Sequence, residues 1–254
     1  MRSADLDLRR VTFGLAGAGA VMTLAGCATT QQEAARLQLN SARIRTAEQR
    51  TVVHSAGSAV HVSAVSLLSS PGAHTFVVTV HNQRSSAVTD LPISVGVSIR
   101  GHRRVDLNAH SSEELSYFDA HLPRIAAGSS LTWVYTTSSK LPSRAHPFAL
   151  VGAQPSPAAS AGATAPAIAA RVTGTQAGRR GAALLEVTLR NGSTIPQYQM
   201  PVYAVAQRGG RVVAAGELIV PHLGSRKTLP VRVPVRGSLS DARIKIAALP
   251  AIVH

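Results

Sequence analysis

Carboxylate and imidazole side chains are concentrated in one stretch of the chain, and such groups bind metal ions or transfer protons. They lie in or beside residues 105–120: Asp106, His110, Glu113, Glu114, Asp119 and His121. Their spacing matches neither the EF-hand calcium loop nor the paired ligands of zinc sites. We therefore expect a solvated loop or short helix, with no metal and no cofactor.

Sequence motifs of catalytic sites are absent from the chain. We find no His-Glu-x-x-His zinc site, no Gly-x-Ser-x-Gly nucleophile, no Ser-x-x-Lys and no phosphate-binding loop. The sequence therefore predicts that the protein is not an enzyme. A catalytic site assembled from residues distant in sequence stays open as an alternative.

The single cysteine, Cys27, closes a segment typical of a leader peptide. Residues 1–10 contain three Arg and two Asp, and residues 11–26 are uncharged and mostly Ala, Gly, Leu and Val. A transmembrane helix needs about 20 apolar residues, so this shorter segment is better explained as a signal-peptide core. An ordinary secretory signal and an uncleaved anchor are the alternatives, and each places the following residues outside the cytoplasm.

The string Leu24-Ala25-Gly26-Cys27 resembles the lipobox of bacterial lipoproteins. The resemblance implies that residues 1–26 are removed and that the Cys27 sulfur receives a diacylglyceryl group. It also implies a location at the extracytoplasmic face of a cell membrane. Two acyl chains hold a protein stably on a bilayer, where a single chain gives marginal binding.

Positive charge is concentrated at the end of the chain. Residues 166–254 contain twelve basic and three acidic side chains, whereas residues 51–153 contain seven and five. Six basic residues lie in or beside one predicted strand and its turns: Arg208, Arg211, Arg226, Lys227, Arg232 and Arg236. Outside a membrane, such a surface attracts anionic polymers or lipid head groups. Nucleic acid is a poor partner because no aromatic platform accompanies the arginines. The alternative is that these charges are simply solvated.

An internal repeat organises the rest of the sequence. Residues 78–82 (VTVHN) match residues 187–191 (VTLRN) at an offset of 109, and residues 122–131 match 220–229 at an offset of 98. The first copy therefore carries 11 extra residues between about Arg104 and His121. We call residues 51–153 the first half and residues 167–254 the second half.

Each half has the alternation of β-strands. Leu91, Ile93, Val95, Val97 and Ile99 are separated by small or polar residues, a pattern that places one face in a core. Gly209-Gly210 between apolar runs indicates a hairpin, and Pro230 and Pro234 indicate an edge strand. Asn82 and Asn191 are expected to stabilise turns at equivalent strand ends. Trp133 and Tyr135 are expected in the core, with sugar stacking as the alternative for Trp133.

The two halves resemble the immunoglobulin-like sandwiches of bacterial envelope proteins, such as CARDB-like and FxLYD-like modules. The predicted fold class is all-β, with two tandem immunoglobulin-like β-sandwiches after a signal peptide and a short helical spacer. The predicted segments are 1–26 signal peptide, 27–50 lipidated N-terminus and spacer helix, 51–153 first sandwich with the insertion near 105–120, 154–166 Ala/Pro/Ser linker, and 167–254 basic second sandwich.

The expected function is a non-catalytic binding or scaffolding module of the cell envelope. Its leading mode is protein–protein contact, through sheet edges or the insertion. The alternative is electrostatic adhesion of the second half to an anionic envelope polymer or lipid. Salt dependence separates the two modes, because screening weakens a contact with a polyanion as ionic strength rises.

Overall fold

The strands of the first half lie between residues 52 and 153. The computed structural model describes residues 33–35, 37, 52–99, 103–108, 117–153, 165–178 and 182–250. The strands are β1 (Val60–Ser70), β2 (Ala73–Asn82), β3 (Leu91–Ile99), β4 (Arg103–Asp106), β5 (His121–Leu122), β6 (Ser130–Thr137) and β7 (His146–Val151). A 3-10 helix, Tyr117–Asp119, precedes β5.

The second half contributes six longer strands to the described part of the chain. They are β8 (Ile168–Ala177), β9 (Ala182–Asn191), β10 (Gln197–Arg208), β11 (Arg211–Leu223), β12 (Thr228–Gly237) and β13 (Arg243–Ala248).

Every described strand pairing is antiparallel. In the first half, β1-β2-β6 form one sheet, and β3 pairs with β4, β5 and β7 in another. In the second half, the order β13-β10-β11-β12-β9-β8 joins the equivalent strands into one sheet. The all-β prediction is therefore confirmed.

Strand register repeats at the spacings found in the sequence. Leu91 pairs with Leu122 in the first half, and Met200 pairs with Val220 in the second. Met200 lies 109 residues after Leu91, and Val220 lies 98 residues after Leu122. Corresponding residues thus occupy corresponding places in the two halves.

Asn82 and Asn191 hold the same turn in each half, as predicted. The Asn82 side chain accepts a hydrogen bond from the backbone of Arg84, and its amide donates to the carbonyls of Ser86, Ile125 and Ala126. Asn191 accepts from the backbone of Ser193 and donates to the carbonyls of Ile195 and Gly224. Each buried amide therefore ties a strand end to two loops.

Asn108 connects the two ends of the insertion of the first half to β3. Its side chain accepts a hydrogen bond from the Val95 N–H at 2.8 Å and donates to the carbonyls of Ile93 and Asp119, also at 2.8 Å. In the second half the continuous strand β11 occupies this place. Asn108 therefore replaces the strand hydrogen bonds that the insertion interrupts.

The alternation in β3 correctly predicts the core face of the strand, but the opposite face is not open to solvent, because Ser94 and Gly96 are buried as well. Leu91, Ile93, Val95 and Val97 are all buried, and Ile99 at the end of the strand is half-buried. Trp133 is fully buried in the same core, which confirms its predicted packing role.

The edge-strand prediction from Pro230 and Pro234 holds along most of β12 but not at its end. Strand β12 pairs with β9 from Thr228 to Arg236. Its other side meets β11 at the described pairs Ala214–Gly237 and Ala215–Arg236. Glycine permits this contact, because a Cβ at Gly216 would lie 1.8 Å from the Pro234 carbonyl oxygen.

Strands β10 and β11 are buried on both faces, and this joins the two halves. Val202 and Ala204 face the core of the second half. Tyr203, Val205 and Ala215 belong to the core cluster of the first half, and β11 lies against β1, β2 and β6. Four sheet layers follow one another, with β3-β4-β7 at one end and β8-β9-β12 at the other.

Equivalent faces of the two halves have opposite character. On β1-β2-β6, the face that meets the second half includes Val77 and Val134, which are 2% and 0% exposed. At the repeat spacings these positions correspond to Glu186 and Arg232 on β8-β9-β12. At the positions of Val77 and Val134, the face that is covered in the first half thus carries charged residues in the second half, where it is the outer face.

The predicted spacer has helical residues at 33–35 and 37, where Ala34 and Leu37 are exposed. None of the helices in the described residues is long and apolar enough to cross a bilayer.

Candidate functional site

The structure places the six basic residues singled out in the sequence at three separate places. Arg208 and Arg211 face each other at the β10–β11 hairpin. Arg226 and Lys227 lie in the turn between β11 and β12, and Arg232 lies in mid-strand. Five of the six are exposed, and Arg236 is half-buried.

The basic groups of the turn and of the hairpin lie near opposite ends of β12. The eight residue steps from Thr228 to Arg236 span about 26 Å of extended chain. Lys227 at one end and Arg211 beyond the other therefore cannot hold one small anion together. The six residues do not form a single compact site.

At the hairpin end, the predicted Gly-Gly turn is confirmed. Gly209 and Gly210 have φ of 54° and 79°, values that glycine adopts without steric strain. The Arg208 guanidinium donates to the Ser240 carbonyl and, at 3.4 Å, to the Ser238 hydroxyl. Arg208 therefore ties the hairpin to the neighbouring turn.

The outward face of β8-β9-β12 brings together three arginines from three strands; we call it the arginine face. Register aligns Ala169, Arg190 and Thr228 in one row. The next row holds Arg171, Thr188 and Pro230, and the one after it holds Gly174, Glu186 and Arg232. Arg171, Arg190 and Arg232 are all exposed, because the alternate residues of each strand pack into the second core.

The arginines lie close enough to act on one extended surface. Arg171 and Arg190 are diagonal neighbours on adjacent strands, about 7–8 Å apart at Cα. Arg232 lies two strands from Arg171 and one row on, about 12 Å away from strand spacing and rise. These side chains therefore create a flat basic area rather than a pocket.

One carboxylate lies within the arginine face. Glu186 is directly opposite Arg232 on the neighbouring strand, and it accepts a hydrogen bond from the Gln176 side chain. Glu186 is therefore an acidic neighbour of Arg232 and, diagonally, of Arg171, whereas Arg190 lies two rows away from it.

Sequence reasoning missed Arg171 and Arg190 although a signal was present. Leu185, Val187 and Leu189 alternate as apolar residues along β9 and lie in the core, and this alternation turns Glu186, Thr188 and Arg190 outward. Only the register of β8 shows that Arg171 lies beside them.

A second polar group lies at the junction of the two halves. The Thr136 N–H on β6 donates to the Glu217 carboxyl on β11 at 3.0 Å. Burial, and then the nearby charge of Asp119, raise the pKa of Glu217 well above its ordinary value, while the hydrogen bond from Thr136 opposes them. The neutral carboxylic acid is therefore favoured in the folded protein.

Tyr203 is the cross-strand partner of Glu217. Its ring is buried in the first core, and its hydroxyl is buried without a hydrogen-bond partner. Burial raises the pKa of this hydroxyl. The neighbouring Trp133 ring instead donates its indole N–H to the Phe118 carbonyl at 2.8 Å. The hydroxyl of Tyr203 is thus enclosed at the junction, where the lack of a hydrogen-bond partner costs free energy.

Beside the insertion, His121 is held in its neutral form. Its ring stacks on Tyr117 at 4.5 Å between centroids, and its Nδ1 lies 3.2 Å from the Tyr117 carbonyl oxygen. Burial lowers the pKa of His121 to about 4. In the part of the chain that the structure describes, no group of His, Cys, Asp or Glu could hold a metal ion.

Several predicted residues lie outside the described part of the chain. They are the lipobox residues Leu24, Ala25, Gly26 and Cys27, and the insertion residues His110, Glu113 and Glu114. Asp106, Asp119 and His121 are described, and each is half-buried.

No protein-family model matches this chain, and no curated protein matches it.

Proposed function

We propose that this chain is a lipid-anchored lipoprotein on the extracytoplasmic face of a bacterial cell membrane. In this proposal it consists of two tandem immunoglobulin-like β-sandwiches and acts as a non-catalytic binding or scaffolding module through protein–protein contacts. Support for the anchor comes from the sequence that ends in Cys27, and support for the tandem sandwiches comes from the repeated register.

The two-sided burial of β10 and β11 carries the proposed scaffolding role. Tyr203 and Val205 lie in the first core while Val202 and Ala204 lie in the second. Since the junction is packed like a protein interior, both halves present their surfaces in a fixed arrangement. A binding surface that is fixed in advance loses less conformational entropy when a partner binds.

The contact surface in this proposal is the open edge of β8. The described pairing of β8 is with β9, so backbone groups along its other side are available for an added strand. Thr173 and Thr175 are exposed on this strand.

Photo-crosslinking in cells tests the proposal. A photoreactive amino acid at Thr173 or Thr175 should give one discrete adduct, whereas the same residue at Ala127, in an exposed turn of the first half, should not. Absence of an adduct from β8 would overturn the proposed edge contact. A Cys27→Ser variant that still incorporates radiolabelled fatty acid would overturn the proposed anchor.

The second candidate function is electrostatic adhesion to an anionic polymer or lipid of the envelope. The arginine face favours it, because it gathers Arg171, Arg190 and Arg232 on one exposed area. Sedimentation with isolated envelope at low and high salt separates the candidates. Adhesion weakens steeply with salt, whereas a stoichiometric protein complex that survives high salt favours strand addition.

A further inference from the structure

We infer that the arginine face is a docking surface for the anionic phospholipid head groups of the membrane that carries the lipid anchor. This inference rests on the proposed extracytoplasmic, lipid-anchored state. It adds a specific surface, two arginines that the sequence did not single out, and one partner.

The position of the face leaves it free to meet a membrane. The opposite side of the second half, β10 and β11, packs on the first half. The face is therefore the outermost of the four sheet layers. Arg171 and Arg232 are both exposed there.

Its shape and composition fit a plane of phosphates. The rows between the arginines carry small or short residues such as Ala169, Thr188 and Pro230, so the guanidinium groups extend beyond their neighbours. Arginine binds phosphate oxygens through two parallel hydrogen bonds. The described strands β8, β9 and β12 contain no aromatic residue, so the face lacks the stacking groups that bases need.

The anchor permits this contact. The 24 residues between Cys27 and Val52 can span up to about 80 Å when extended. The four layers span about 30 Å from the first sheet to the last, at about 10 Å per layer. An anchored chain can therefore turn its outermost layer toward the bilayer. A bilayer is favoured over a linear polymer because the three arginines lie on three different strands of a flat sheet.

The repeat provides an internal contrast. Strands β1, β2 and β6 contain no Asp, Glu, Lys or Arg. The equivalent face of the second half has Arg190 at the position of His81, and Arg232 at the position of Val134. The basic charge thus appears on the copy of this face that remains exposed.

The test uses vesicles of phosphatidylglycerol and phosphatidylcholine with the chain from Ala28 to His254, which retains every described strand. The face variant carries Arg171→Ser, Arg190→Ser and Arg232→Ser. The matched control carries Arg211→Ser, Arg243→Ser and Lys245→Ser, which removes the same charge from exposed positions on the β10-β11-β13 side. Circular dichroism and thermal melting show whether each variant keeps its fold.

Each arginine near an anionic surface contributes about a fivefold change in partition. The face variant should therefore bind about a hundredfold more weakly in 0.15 M salt, about physiological strength. The control should stay within about threefold, because its charges lie farther than a Debye length of about 8 Å from the bilayer.

Equal weakening of both variants would overturn the inference, since net charge alone would then explain binding. Failure of the unsubstituted chain to bind anionic vesicles would also overturn it. Binding to soluble polyphosphate without binding to vesicles would also overturn the inference, because it would identify a polymer as the partner. Crosslinking through β8 and acylation of Cys27 are measured separately, so a failure here leaves the proposed function standing.

Discussion

Replacing Glu217 by Gln should change how the stability of the protein depends on pH. The raised pKa of Glu217 means that the folded state keeps a proton that the unfolded state releases above its ordinary pKa of 4.5. The stabilisation is therefore complete below pH 4.5 and is lost as pH rises toward the folded pKa, by up to about 1.4 kcal/mol per pH unit. Gln keeps the shape of the neutral acid and can still accept from Thr136, so this loss should disappear.

The pH dependence of stability that His121 contributes has the opposite sign to that of Glu217, so the two effects must be separated. Burial lowers its pKa from 6.5 to about 4, so its contribution is lost as pH falls from 6.5 toward 4 and is complete above 6.5. Between pH 4.5 and 6.5 the two slopes oppose each other.

The difference in the free energy of unfolding between the Glu217→Gln variant and the unsubstituted chain isolates the effect of Glu217. The free energy of unfolding of the Glu217→Gln variant, minus that of the unsubstituted chain, should increase as pH rises from 5 to 7, by up to about 1.4 kcal/mol per pH unit. Urea titrations at pH 5, 6, 7 and 8 measure it through the fluorescence of Trp133, the single tryptophan of the chain. It is buried 5.9 Å from Tyr135, between ring centroids.

A Glu186→Gln variant is the matched control, because its carboxyl lies on the arginine face rather than at the junction. It shares the loss of one carboxyl group, so the difference between the two variants isolates the position at the junction. If the Glu217→Gln curve runs parallel to that of the unsubstituted chain between pH 5 and pH 7, the account of a buried neutral acid is refuted.

Three further outcomes follow from named contacts. Asn82→Ala and Asn191→Ala should each lower the free energy of unfolding by about 3 kcal/mol in urea, because each leaves buried backbone groups unpaired; a loss below about 1 kcal/mol in both would contradict this. Gly216→Ala should lower it by about 3 kcal/mol, since the new Cβ would overlap the Pro234 carbonyl oxygen, and an unchanged melting temperature would be the contrary result. His121→Gln should flatten the acid side of the stability curve between pH 4 and 6.5, measured in the same titrations; an unaltered slope would show that the ring is protonated when folded.

Local patterns in the sequence were sufficient to predict what depends on neighbours along the chain. Alternation gave the buried side of β3, and the equivalent positions of Asn82 and Asn191 gave the turns that they stabilise. The Gly209-Gly210 hairpin was predicted because only residues that tolerate positive φ fit such a turn.

Features that depend on packing between distant strands could not be predicted. Glu217 lies among apolar residues on β11, and no spacing in the sequence shows that its carboxyl meets the N–H of Thr136, 81 residues earlier. The proline pattern correctly predicted one open side of β12 but gave no sign of the β11 contact, which depends on Gly216. The six basic residues are near in sequence, yet the length of a strand separates them.

The charged pair Glu186 and Arg232 also distinguishes the outer face of the second half from the face that forms the junction. A repeated unit can stack on the next when one face of each unit fits the opposite face of its neighbour. Val77 and Val134 allow such a contact between the two halves. At the same two positions of the second half, a similar apolar contact would bury a carboxylate and a guanidinium, and the desolvation of those charges opposes it.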